Sequence, residues 1–130
     1  MRHNHSFSFP LGLDFEEFNL STKKDGLIHG LYFKVDEPKA RVFYFHGNSK
    51  NVAFWGNWCE MLAQRYQCEF IVPDYRGYGK SRGKRDIHSM LEDMEALVAH
   101  FGTGGLPVIY HGRSLGGAFA SHMASKVAPD

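Results

Sequence analysis

Cysteine is scarce in this chain of 130 residues: there are two, Cys59 and Cys68, and they do not have C-x-x-C spacing. A disulfide framework is therefore excluded, and the pair suits buried thiols in a reducing compartment, so a cytoplasmic location is expected. No apolar run approaches the roughly 18 residues that a membrane span requires. The first ten residues, Met1 to Pro10, lack the apolar centre of a signal peptide and read, with His3 and His5, as a disordered polar tail. An excess of one charge is also missing. Fifteen Lys and Arg face 14 Asp and Glu, a net charge of +1, which points to neither nucleic acid nor an anionic membrane surface. There is no H-E-x-x-H and no Cys/His cluster, so neither a metal nor an organic cofactor is expected. Repeats, low-complexity tracts and a linker to a second domain are absent too.

Nucleotide motifs come close and fail. Gly79-Lys80-Ser81 resembles the end of a phosphate-binding loop, but the glycine required five positions before Gly79 is Asp74. A dinucleotide fingerprint built on Gly77 and Gly79 would need a small residue at 82, where the chain has Arg82. The basic residues of this loop, Arg76, Lys80, Arg82, Lys84 and Arg85, could attract an anionic substrate, but they read first as a solvated surface.

What the chain does have is enough apolar material for one packed domain, 43% hydrophobic and 15% aromatic residues. Phe15 to Leu20 and Ile28 to Val35 are rich in β-formers and flank the turn signal Asp25-Gly26, which predicts a hairpin. Short apolar strands follow at 41–45, 70–72 and 108–111. Between them, Val52, Trp55, Cys59, Leu62 and Tyr66 fall on one helical face, as do Ile87, Leu91, Met94, Val98 and Phe101. These spacings predict helices near 51–67 and 85–101, with Asn51 as a cap for the first and Gly102 to Gly105 ending the second. Strand–helix alternation of this kind predicts an α/β fold: a mostly parallel sheet with helices on both faces, preceded by the N-terminal hairpin.

The third strand runs into Gly112-Arg113-Ser114-Leu115-Gly116, and a helix-like run from Ala118 to Lys126 follows. A serine hydroxyl is a weak nucleophile, and it must be held exposed beside a base and beside donors for a developing oxyanion. A sharp strand-to-helix turn provides that exposure. Glycines at 112 and 116 remove Cβ atoms from the crowded bend, and the helix N-terminus offers free N–H groups.

With Phe43-Tyr44-Phe45-His46-Gly47-Asn48 and Asp74-Tyr75-Arg76-Gly77-Tyr78-Gly79-Lys80-Ser81, this segment gives three motifs in the order and spacing of the α/β-hydrolases. The chain resembles the N-terminal half of that superfamily, of the serine esterase, lipase or peptidase type, from about Phe15 to its end. The resemblance implies a tail over 1–14 and a hydrolase-like domain over 15–130 that lacks its C-terminal half, the sheet being cut off after the helix that follows the serine. It implies a serine hydrolase that cleaves an ester, thioester or amide of a small acyl substrate through an acyl-enzyme on Ser114. The backbone N–H groups of Leu115 and Asn48 would be the oxyanion donors. His46 would hold its loop, Asp74 would cap a turn, Arg113 would be a loop residue within reach of substrate, and His111 would pack in its strand.

The match then stops. The superfamily's triad runs Ser, acid, His along the chain, and after Ser114 only His122 and Asp130 are present. His122 lies eight residues along the predicted helix, roughly 12 Å from the serine at about 1.5 Å per residue, beyond hydrogen-bond reach. The alternative reading is therefore a non-catalytic, hydrolase-like binding domain without the triad acid and histidine. In either case the strand at 108–111 would be an uncovered sheet edge through which the chain associates with itself.

Overall fold

The hairpin forms where the sequence predicts it. β1 (Phe15–Thr22) pairs antiparallel with β2 (Gly26–Phe33), Thr22 facing Gly26. The turn is made by Lys24 and Asp25, which both adopt left-handed backbone (φ 57° and 58°), while the Gly26 N–H donates to the Lys23 carbonyl at 3.2 Å. Positive φ at two successive residues matches the twist of the flanking strands. Gly26 is glycine for a different reason: a Cβ there would lie 2.4 Å from the guanidinium Nη2 of Arg76.

The computed structural model describes residues 9, 11–45, 52–76, 81–84, 86–102, 104–112 and 115–126. After the hairpin come β3 (Arg41–Phe45), α1 (Val52–Tyr66), β4 (Glu69–Pro73), α2 (Ile87–Phe101), β5 (Val108–Gly112) and α3 (Leu115–Lys126). The sheet order is β1-β2-β4-β3-β5. β3 runs parallel to β4 on one side and to β5 on the other, and β2 joins β4 antiparallel. The three short apolar runs are thus parallel strands with β3 in the middle, as their alternation with helices predicts.

Period-two alternation sorts the strand side chains onto two faces. Leu31, Phe33, Val42, Tyr44, Phe70 and Val72 pack with Cys59 and Ala63 of α1. Phe43, Phe45, Ile71 and Val108 pack on the other face with Met90, Met94 and Leu97 of α2 and Met123 of α3. Phe33, Phe43 and Phe45 are fully buried, and each such side chain stabilises the fold by about 1.5–3 kcal/mol.

The predicted helix faces are met in part: Cys59, Met94 and Val98 are buried, and Trp55, Leu62, Leu91 and Phe101 pack against the core. α1 also buries Gly56, Glu60 and Ala63 and leaves Tyr66 exposed; α2 buries Ser89, Met90, Asp93, Met94, Leu97 and Val98 and leaves Ile87 exposed. In both cases the true face includes small or charged residues that an apolar count passes over. Asp86 caps α2, its carboxylate accepting the Ser89 N–H at 3.0 Å, and Gly102 closes the helix by donating to the Val98 carbonyl. The proposed cap Asn51 lies outside the described residues. The segment read as a polar tail is also partly corrected, because Phe9 is buried against the α1 face.

Candidate active site

A site is defined by where the strands end. β3 and β5 are in register to their last residues, Phe45 opposite Gly112. β3 and β5 therefore end side by side at the same end of the sheet. From there α1 packs on one face and α3 on the other. Adjacent parallel strands whose following helices diverge to opposite faces open a crevice beyond their carboxyl ends, the usual place for a ligand in an open α/β sheet.

Of the predicted site residues, Leu115 is the first residue of α3, at the helix N-terminus where free backbone N–H groups are found. Ser114, Asn48, His46 and Arg113 lie outside the described residues. His111 is an exposed β5 residue rather than a packed one, its ring stacked on buried Tyr44 (centroids 5.1 Å apart, interplanar angle 21°). His122 lies seven residues beyond Leu115 along α3. Its Nε2 lies 2.6 Å from Oε2 of Glu95, so the imidazole joins α3 to α2.

The loop after β4 is organised from beneath. Asp74 is buried, and its N–H donates to the His29 carbonyl of β2 at 2.9 Å. Ser81 Oγ donates to the Asp74 carbonyl at 2.7 Å and accepts the His29 N–H at 2.9 Å. Arg82 exchanges two backbone hydrogen bonds with Leu27. The serine of the phosphate-loop look-alike is therefore committed to bonds with backbone.

Arg76 requires the largest correction. Instead of a solvated cation it is 1% exposed and bidentate to buried Asp93 of α2, with Nε–Oδ2 at 2.6 Å and Nη2–Oδ1 at 2.8 Å. Its Nη2 also donates to the Lys23 carbonyl in the hairpin turn. The hydrogen bond to Asp93 raises the guanidinium pKa above its ordinary value, so the charge is permanent. One side chain thus fastens the β4 loop to α2 and to the hairpin. No periodicity signals this arrangement; the only hint in the sequence is an Asp on the inward face of an amphipathic helix. Of the other basic residues in this loop, Arg82 and Lys84 are exposed, while Lys80 and Arg85 lie outside the described residues.

On the α1 face a groove of about 910 Å³ runs beside β5, lined mainly by Val42, Trp58, Leu62, Tyr66, Phe70 and Ile109. Among the described residues no three His, Cys, Asp or Glu gather as a metal site, and no helix is long and apolar enough to cross a membrane.

This open sheet with helices on both faces is that of the α/β-hydrolases, and a comparison of sequences gives the family. The family described as "Serine aminopeptidase, S33" (Hydrolase_4) matches residues 36–130, and the chain belongs to it, within the α/β-hydrolase superfamily. Over 127 residues the chain is 31% identical to a probable protein phosphatase methylesterase 1 of Caenorhabditis elegans, covering 88% of this chain and 34% of that protein. It is 28% identical to the α/β hydrolase domain-containing protein WAV2 of Arabidopsis thaliana, covering 92% of this chain and 41% of the relative. The Pyrococcus furiosus esterase Pf2001 shares the fold with a TM-score of 0.75 at 20% identity, over 91% of this chain and 48% of the esterase. The chain thus spans well under half the length of the curated relatives described.

Proposed function

We propose that the protein is a serine hydrolase that cleaves an ester, thioester or amide bond of a small acyl substrate through an acyl-enzyme on Ser114. The carrying observation is the shared end of β3 and β5, Phe45 opposite Gly112, with α3 starting at Leu115. A Gly-x-Ser-x-Gly that bridges a strand end and a helix start with two residues between them supports an exposed, sharply turned serine. In this reading the Ser114 hydroxyl attacks the acyl carbonyl. The N–H of Leu115 and the N–H of Asn48, from the neighbouring loop, stabilise the oxyanion. Asn48 suits that role because its loop leaves the strand adjacent to the one that precedes Ser114.

The base and its orienting acid follow the serine in this fold. His122 is engaged with Glu95, so the reading takes its histidine and acid from outside these 130 residues. Among the three bond classes we favour the ester, because the relatives include a methylesterase and an esterase. The cytoplasm is our assignment, on the strength of two buried free thiols.

The test is labelling and turnover in the whole protein. Ser114 should form a stoichiometric adduct with a fluorophosphonate and hydrolyse short-chain activated esters. Ser114→Ala should abolish the adduct and lower kcat by a factor of at least about 10³. A whole protein that neither labels nor turns over these esters would be the non-catalytic, hydrolase-like binding domain instead.

A further inference from the structure

We infer that residues 9 and 11–13 form a latch closed over α1, fastened by the carboxylate of Glu60 and the ring of Phe9, which can open while the sheet stays intact.

Glu60 is fully buried on the inward face of α1, among Gly56, Cys59 and Ala63. A carboxylate in such surroundings is costly unless its oxygens accept hydrogen bonds. Oε1 accepts the Leu11 N–H at 3.0 Å and Oε2 accepts the Leu13 N–H at 2.9 Å. Both donors come from a segment 47 and 49 residues away in sequence. Each oxygen takes a different residue, so the carboxylate grips the backbone on both sides of Gly12.

Phe9 is the second fastening. Its ring is 6% exposed and packs edge-on against Phe15 and Phe33, with centroids 5.3 and 5.2 Å apart. It occupies the place where α1 has no side chain: a Cβ at Gly56 would lie 2.5 Å from two of its ring carbons. Glycine in the middle of a helix costs stability relative to alanine, and here it makes room for the ring. Gly12, at φ 68°, donates to the Phe9 carbonyl at 3.2 Å and bends the chain between Leu11 and Leu13.

The latch lies outside the sheet. Strand pairing starts at Asp14, whose carbonyl accepts the Lys34 N–H at 2.9 Å, and β1 begins at Phe15. A segment outside a cooperative ladder opens at lower free energy than the ladder itself. Release would uncover the Gly56–Glu60 face of α1, the helix that the chain enters directly after the 46–51 loop.

Amide exchange in the full chain tests this. Glu60→Gln keeps the shape but leaves only one oxygen to accept, and Glu60→Ala leaves none. Exchange at Leu11 and Leu13 should rise by roughly tenfold or more in Glu60→Ala, and by less in Glu60→Gln, as a charged acceptor is lost. Exchange at Val42, Phe43 and Ile71 should stay unchanged. Unaltered exchange at Leu11 and Leu13, or an equal rise at all five amides, would overturn the latch. For the ring, Gly56→Ala should speed exchange at Leu11 and Leu13 in the parent chain and add nothing in a Phe9→Ala background. Additive effects would remove Phe9 from the device.

Discussion

Individual residues here do work that their types conceal. Arg76 and Asp93 form an ion pair with both side chains at most 2% exposed. Removing one partner leaves a buried charge without its counter-ion, so Arg76→Ala or Asp93→Ala should each cost about 3–5 kcal/mol in denaturant unfolding. An apolar replacement of both, Arg76→Met with Asp93→Leu, should recover most of that loss, because the desolvation cost of the pair disappears with it. Where β3 and β4 begin, the hydroxyl of Tyr32 donates to Glu69, which also accepts from Arg41 at 2.9 Å. Burial first, then the hydrogen bond and the negative charge of Glu69, push the tyrosine pKa from 10.0 up to about 12. A group with a raised folded pKa loses its contribution as pH rises. The stabilisation from Tyr32 should therefore be complete below pH 10 and fade between pH 10 and 12, the window set by those values. Alkaline unfolding followed by circular dichroism should show that decline in the parent and a shallower one in Tyr32→Phe.

Secondary-structure elements were legible wherever apolar spacing alone decides them. The strand at Arg41–Phe45 has the bounds expected from its apolar run, and both long helices fall within two residues of expectation. The helix faces were less legible, since Glu60 and Asp93 are buried by partners 47 and 17 residues away. No local pattern records a partner at that distance. The hairpin illustrates the same limit. Asp25-Gly26 announces the turn, yet the left-handed residues are Lys24 and Asp25, and Gly26 is required by the Arg76 guanidinium. Two substitutions should separate these roles. Lys24→Gly relieves a non-glycine residue at positive φ and should raise stability by about 0.5–1 kcal/mol, after the entropy cost of glycine is subtracted. Gly26→Ala places a Cβ against a guanidinium that cannot swing away without leaving Asp93, and overpacking of that kind costs about 1–3 kcal/mol. Thermal unfolding of the two variants should therefore shift in opposite directions.

On the scale of the whole molecule, the sheet ends in two unlike strands. β1 carries Glu16 and Glu17, with Lys34 Nζ 3.0 Å from Glu16, so one edge is guarded by charge. β5, Val108 to Gly112, has no Asp, Glu, Lys, Arg or proline, and Ile109 is 44% exposed. Among the described residues β3 is its single strand neighbour. An outer strand without charge or proline is a template for pairing with another chain. The strand end and helix start that flank the Gly112–Gly116 motif were readable, because glycines and a serine between a strand and a helix are local signals. The base that would activate Ser114 was not readable, because in this fold it is supplied by distant chain. Both features bear on a polypeptide of these 130 residues alone. In the proposed reading these 130 residues hold no base for Ser114, and a serine hydroxyl without a base stays protonated near neutral pH and keeps its proton during attack. We expect such a polypeptide to form no fluorophosphonate adduct and to hydrolyse activated esters no faster than its Ser114→Ala variant. We also expect it to sediment as associated species, and Ile109→Lys, which puts a charge on the β5 edge, to shift it toward monomer. A stoichiometric adduct on Ser114 in a monomeric preparation would mean that a base within these residues reaches the serine. It would also mean that the β5 edge is protected by something other than a second chain.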